Sequence, residues 1–261
     1  MIYSPNRLLL IAGPCVVESA ELVMDVARHL VQITSGLPID LVFKSSYRKA
    51  NRTSHTSFTG IGDAKALEAL ARVKGAFGIP VLTDIHADHE AAIAAEVCDV
   101  LQIPAFLSRQ TSLLEAAANT GKVVNIKKGQ FMAPEDVIRA ADKVLATGNR
   151  HVWLTERGTT FGYHDLVVDM RGLITMKASG LPVIYDATHS VQQPSLGTQS
   201  GGKSEFISGL AHAAMATGIG GLFIETHPDP PRALSDAATQ MPLHLVENFL
   251  HSILRVWNAV R

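Results

Sequence analysis

The sequence predicts a (β/α)8 barrel over residues 1–261, formed as a single domain, and three observations point to it. Eight short β-branched runs alternate with longer stretches of helical period. Several of the runs are apolar throughout, as parallel strands covered on both faces should be. No G-x-G-x-x-G turn follows the first run, which argues against an open dinucleotide-binding sheet. With 47% hydrophobic residues, a chain of this length can bury a large core, and no low-complexity segment marks a linker.

The strand runs fall at 8–12, 40–44, 80–83, 100–103, 123–127, 151–155, 182–186 and 221–225. Between the first two, Leu22, Val26, Leu30 and Ile33 lie on one face of a helix over 19–34. Between the fifth and sixth, Val137, Ala141, Val144 and Leu145 do the same over 134–147. There Pro134 suits a first turn and Gly148 a stop. Eight βα units of this length close most naturally into a barrel.

Composition narrows the function. A net charge of −1 with 18% charged residues gives no broad basic surface, so neither nucleic acid nor an anionic membrane is an expected partner. Two cysteines cannot make a disulfide framework, and there is no signal pattern or bilayer-length apolar run, so a cytoplasmic location is expected.

Barrel enzymes build their sites at the carboxyl ends of the strands. Those tips carry Cys15 and Glu18; Lys44, Ser45, Lys49, Asn51 and Arg52; Asp84 and His86; Gln102 and Arg109; Lys127, Lys128 and Gln130; Glu156 and Arg157; Asp186 and His189; and Glu225, His227 and Asp229. One such residue means little, but eight tips converging on one mouth point to a site. Lys44, Arg52, Lys127, Lys128 and Arg157 suit phosphate or carboxylate groups, so anionic substrates are expected. Cys15, His189, Glu225 and Asp236 offer one soft sulfur, one imidazole and two carboxylates. That donor set suits a divalent zinc, iron, manganese or cobalt ion better than calcium or magnesium. Cys15 taken alone reads more readily as a buried thiol than as a ligand. Cys98, where a helix enters a strand, reads as core. Glu18 reads as a charge at the first helix amino-terminus, and Gly201-Gly202 as either a phosphate nest or a hinge.

IAGPCVVES at 11–19, FKSSYRKANRTS at 43–54, LTDIH at 82–86, LQIPAFLSRQT at 101–111, NIKKGQF at 125–131, LTERGTTFGY at 154–163, YDATHSVQ at 185–192 and FIETHPDP at 223–230 together resemble the 3-deoxy-D-manno-octulosonate 8-phosphate synthase family. The resemblance runs almost end to end. It implies condensation of phosphoenolpyruvate with arabinose 5-phosphate, with release of phosphate, on the route to the inner sugar of lipopolysaccharide. Lys49-Ala50-Asn51-Arg52-Thr53-Ser54 resembles the pentose-using family and not the related tetrose-using synthases.

Carried over by position, the resemblance implies that Lys44, Lys127 and Arg157 hold phosphoenolpyruvate, with Lys128 close by and Gln102 and Asp84 lining the centre. Asn51, Arg52, Thr53 and Ser200 would hold arabinose 5-phosphate. Cysteine at position 15 marks the metal-dependent class, with His189, Glu225 and Asp236 as the other ligands. Asp84 and His189 are candidates for proton transfer, alongside catalytic Lys44 and Lys127. A homotetramer is also implied. The chain departs from the family at Arg48 and Ala87, where many members carry an acid, at Ser108, where cysteine is common, and at His164-Asp165, which stands for a frequent Asn-Asn. A non-catalytic barrel binding an anionic metabolite and a tetrose-using synthase are the rival readings.

Overall fold

In a computed structural model, residues 2–50, 57–194 and 201–261 are described. Eight parallel strands follow one another around a ring: β1 (Leu8–Gly13), β2 (Ile39–Lys44), β3 (Val81–Asp84), β4 (Val100–Ile103), β5 (Val123–Lys127), β6 (Val152–Glu156), β7 (Val183–Asp186) and β8 (Gly221–His227). The ring closes because β1 pairs with β2 on one side (Leu9↔Asp40) and with β8 on the other (Leu9↔Gly221). All eight runs expected from the sequence form the barrel, and closure rules out the open sheet.

Strand alternation sorts the side chains. Leu8, Leu10, Leu41, Phe43, Leu101, Ile126, Leu154 and Leu222 face outward into the layer shared with the helices. Leu9, Ile11, Val42, Leu82, Val100, Val123, Trp153, Ile184 and Phe223 form a separate buried cluster inside the barrel. Two residues beyond this inner layer come Gly13, Lys44, Asp84, Gln102, Asn125, Thr155, Asp186 and Glu225. An apolar floor therefore gives way to a polar layer within one step of the period on every strand.

Among the described residues, eight α-helices cover the outside: α1 (Ala20–Thr34), α2 (Asp63–Phe77), α3 (Glu90–Val97), α4 (Thr111–Asn119), α5 (Pro134–Ala146), α6 (Met170–Lys177), α7 (Ile207–Ala216) and α8 (Val246–Ala259). Ser19 caps α1 by accepting a bond from the Leu22 amide at 3.1 Å. Glu18 is therefore free for another task, contrary to its expected role at the helix end. Pro134 opens α5 and Gly148 follows its end in the left-handed region, as the sequence indicates. Cys98 is fully buried, as expected, and burial pushes its thiol up to about 12.

The loops above the barrel add short ribbons that the sequence reading omits. Thr159–Thr160 pairs with Leu166–Val167, Gln192–Gln193 pairs with Gly201–Gly202, and Met241–Pro242 pairs in parallel with Thr226–His227 at the end of β8. Gly201-Gly202 thus lies in a ribbon. His164 takes a positive φ of 55° at the turn of the first ribbon, a conformation asparagine adopts more readily. Its Nδ1 lies 2.8 Å from the Pro194 carbonyl oxygen, a contact that helps hold the turn. Among the described residues, no helix is long and apolar enough to cross a membrane.

Candidate active site

The mouth of the barrel begins at Gly13. Its φ is 156°, and a Cβ there would overlap the Lys44 carbonyl oxygen, so only glycine lets the tip of β1 close against β2. Beyond Gly13 the chain stays beside the loop after β2, where the Ser46 amide donates to the Cys15 carbonyl at 3.2 Å and the Val17 amide to the Ser46 carbonyl at 2.9 Å. Lys44 then donates to the Cys15 carbonyl at 2.8 Å and to Glu225 in a very short, fully buried ion pair.

Cys15, Glu225 and Asp236 bring their ligand atoms within 4.8 Å of one another. The Cys15 sulfur lies 3.2 Å from Asp236 Oδ2 and 2.8 Å from the Ser235 hydroxyl. His189 presents Nε2 to the same point, 3.6 Å from both Glu225 Oε1 and Asp236 Oδ2. Its other nitrogen, Nδ1, lies 2.8 Å from Asp186 Oδ2, the outer carboxylate contact that orients a ligating imidazole. Three of the four residues singled out in the sequence thus form one cluster, and His189 Nε2 stands beside two of them, Glu225 and Asp236.

The electrostatics suit a cation. Burial, then Asp236 and Glu225, push the Cys15 thiol well up, so its ionisation calls for added positive charge. Burial alone would raise the Asp236 carboxyl, but bonding and charge from His189, with Lys49, hold it far below its ordinary value. Glu225 Oε2 is buried with no hydrogen-bond partner. A soft sulfur, an imidazole nitrogen and an unpartnered carboxylate oxygen in one place can hold a divalent metal ion.

Asp236 sits on the loop after β8 with φ 49°, a left-handed conformation that aspartate tolerates. Bonds from the tip of β1 hold that loop in place. Glu18 accepts from the Leu234 amide at 2.9 Å, and Gln240 accepts from the Cys15 amide at 3.3 Å while donating to the Ser235 carbonyl at 2.8 Å. Glu18 is a loop tether and not a helix-end charge. Ser235 and Gln240 went unnoticed in the sequence because Cys15, to which both bond, lies more than 200 residues away.

A cationic arc surrounds the cluster. Lys127 pairs with Asp186 at 2.6 Å and lies 4.0 Å above the Phe223 ring, which floors the site. Burial, together with the neighbouring Lys44 charge, lowers the Lys127 pKa, although Asp186 opposes the shift. Arg157 donates to Gln192 at 3.0 Å but leaves Nη1 buried and unpartnered, available to an anion. Lys49 belongs here too. Burial would lower its pKa, but the Cys15, Asp84, Glu225 and Asp236 charges around it raise it, so it stays cationic. It was visible among the strand tips but not selected.

Asp84 accepts from Ser46 at 2.8 Å and from Gln102 at 3.4 Å. The chain of bonds continues through Asn125 to Gln102 at 2.9 Å and Thr155 to Asn125 at 2.7 Å. Burial would raise the Asp84 carboxyl, yet Lys49 and Lys44 hold it below its usual range, so it is an ionised acceptor at neutral pH.

Lys128 is placed differently from its neighbour. Strand alternation takes it away from Lys127, and its ammonium is held by the Gly129, Met132 and Gly158 carbonyls, the Thr159 hydroxyl and Glu156. None of those partners belongs to the cluster around Cys15. Asn51, Arg52, Thr53 and Ser200 lie outside the described residues.

Comparison with known proteins gives the family. The model of the DAHP synthetase I family matches residues 2–259. A 2-dehydro-3-deoxyphosphooctonate aldolase of Methylococcus capsulatus is 56% identical over 257 residues, covering 98% of this chain and 91% of the relative. Proteins of the same name from Trichlorobacter lovleyi and Francisella tularensis subsp. holarctica are 56% and 52% identical, covering 90% and 97% of this chain and 87% and 92% of theirs. With the barrel, the site and the full-length match in agreement, the chain belongs to the DAHP synthetase I family and, within it, to the 2-dehydro-3-deoxyphosphooctonate aldolases.

Proposed function

We propose that this chain condenses phosphoenolpyruvate with D-arabinose 5-phosphate and water, giving 3-deoxy-D-manno-octulosonate 8-phosphate and phosphate, for lipopolysaccharide inner-core synthesis. The observation that carries this reading is the juxtaposition at one mouth of the Cys15, Glu225 and Asp236 cluster with the buried cations Lys44, Lys127 and Arg157. The relatives' shared name supports it.

Lys127 and Arg157 take the phosphate of phosphoenolpyruvate, with Arg157 Nη1 supplying the open donor. Lys44 and Lys49 balance its carboxylate. Asn51, Arg52, Thr53 and Ser200 hold the pentose phosphate. The methylene carbon of phosphoenolpyruvate bonds to the pentose aldehyde carbon, and water adds to the adjacent carbon. The resulting hemiketal phosphate then breaks its carbon–oxygen bond, releasing phosphate and leaving a ketone. Held cations and oriented dipoles favour these steps because the charges they stabilise develop where the groups already point. Gln102 and Asp84, braced by Ser46 and Asn125, shape the centre, and Asp84 accepts a proton or hydrogen bond there. His189, oriented by Asp186, serves as a ligand before it serves as a base.

Cys15, His189, Glu225 and Asp236 would hold a divalent zinc, iron, manganese or cobalt ion, which when bound would supply a Lewis acid to the site. Lys128 braces the loops after β5 and β6.

Phe106, Phe131, Phe161 and Tyr163 are 56%, 57%, 67% and 96% exposed on neighbouring loops above β4, β5 and β6. Such an aromatic band favours burial against further copies, in keeping with a homotetramer. The composition suits a cytoplasmic enzyme.

Phosphate release with arabinose 5-phosphate and with erythrose 4-phosphate, each before and after chelation, tests the proposal. Pentose-dependent release that chelation abolishes and added metal restores is expected. Faster release with the tetrose overturns the substrate assignment, and full activity after exhaustive chelation overturns the metal assignment.

A further inference from the structure

An ion-pair cluster on the wall of the mouth takes no part in the chemistry above, yet it joins two of the loops that perform it. Arg48, immediately before Lys49, pairs with Glu90 in a very short contact and with Asp63 at 3.1 Å. Glu90 is buried in the first turn of α3, where a carboxylate suits the helix dipole. Its Oε2 accepts from the His86 amide at 2.7 Å, and the Tyr47 hydroxyl bonds to the same carboxylate. Arg48 also stacks its guanidinium over the Tyr47 ring at 5.4 Å. One carboxylate thus gathers donors from the loop after β2 and the loop after β3.

Among the described residues, the other bonds between these loops stop short of Lys49, whose own amide donates to the Thr59 carbonyl within its loop at 2.8 Å. Tyr47 donates its amide to Thr83 at 2.9 Å, and Ser46 reaches Asp84. Beyond Tyr47, Arg48 makes the next link between them. A cation stands at position 48, and the acid that meets it comes from Glu90, one turn beyond Ala87.

We propose that Glu90 is a positioning residue that, through Arg48 and the amide of His86, locks the loop bearing Lys49 to the loop bearing Asp84 and so holds the Lys49 ammonium over the site. This rests on the synthase reading above. Glu90 itself touches no substrate. Burial would raise its carboxyl, but Tyr47, the His86 amide and Arg48 hold it below its ordinary range and keep it charged.

The test uses Glu90→Gln, Arg48→Ala and the double variant in the metal-loaded full chain. Each single change is expected to raise the KM for phosphoenolpyruvate by about tenfold with a smaller fall in kcat, since misplacement of a binding group is felt first in binding. The double variant should be no worse than the poorer single one, because both remove the same tether. Arg48→Lys should recover part of the loss. Hydrogen exchange at residues 47–50 should speed up in both single variants, a readout that does not depend on the substrate. Unchanged KM values, or losses that multiply in the double variant, overturn the proposal. So does unaltered exchange at 47–50. Should Glu90→Gln fail to fold, Arg48→Ala decides alone, because Arg48 is partly exposed. A parent without pentose-dependent activity would instead count against the synthase reading, leaving the exchange measurement to judge the tether.

Discussion

The floor and the mouth of this barrel are built by the same eight strands, two residues apart, and they obey opposite rules. Leu9, Ile11, Val42, Leu82, Val100, Val123, Trp153, Ile184 and Phe223 pack as an apolar plug that gains stability from burial. The next inward layer holds Lys44, Asp84, Asp186 and Glu225, equally buried but charged. Burying those charges is costly and is offset only because each has a partner. The lower layer therefore stabilises the fold, while the upper one spends part of that stability to fix charges where substrates must sit. Phe223 belongs to both, packing in the plug and lying beneath Lys127 and His189.

Phe223→Ala should break the comparison most severely. Loss of a buried ring costs about 3–5 kcal/mol, read as a lowered midpoint in urea. Turnover should fall as well, because Lys127 and His189 lose the surface that supports them. A stability loss without a change in turnover would show that the two layers are independent.

Asp186→Asn comes next, acting on the mouth alone. It leaves Lys127 without its counter-charge and His189 without its orienting carboxylate, for a loss of about 3 kcal/mol at neutral pH. Burial would raise the Asp186 carboxyl, but His189 and Lys127 hold it far below its usual value. Its stabilisation is therefore complete above the unfolded value of about 4 and fades as pH falls toward the depressed folded one. The gap between parent and variant, measured by denaturation, should be constant near neutrality and narrow below about pH 4. A gap that widens on acidification would contradict the charged pair.

Ser235→Ala is the mildest change. It removes the hydroxyl 2.8 Å from the Cys15 sulfur while leaving the four expected ligands in place. Metal affinity, measured by competition with a chelator, should weaken by about tenfold, as for other outer contacts to ligands. An affinity within twofold of the parent, roughly, would reduce Ser235 to packing.

The floor was legible in the sequence and much of the mouth was not, and the difference is physical. Alternation and helical period are local, so the eight strands, α1 and α5 could be placed from neighbours alone. The polar tips were legible as a set: Cys15, Glu225 and Asp236 lie together, with His189 beside Glu225 and Asp236. Bonds between loops distant in the chain leave no local pattern. Ser235 and Gln240 were missed for that reason, and Glu18 was assigned to a nearby helix end when it bonds across the mouth to Leu234. Lys128 was grouped with Lys127 by composition, although alternation turns adjacent residues to opposite faces. Asp186 stood among the tips, but its hold on both Lys127 and His189 emerges only when the barrel closes.

The central claim is that Cys15 is a metal ligand at the mouth and not a buried thiol of the floor. Absorption of the cobalt(II)-loaded protein tests it most directly, because a thiolate bound to cobalt gives a strong near-ultraviolet charge-transfer band. The parent should show that band, and Cys15→Ala should lack it and lose metal affinity by at least about a hundredfold. A band of equal strength in Cys15→Ala, or its absence from a fully loaded parent, would contradict the assignment.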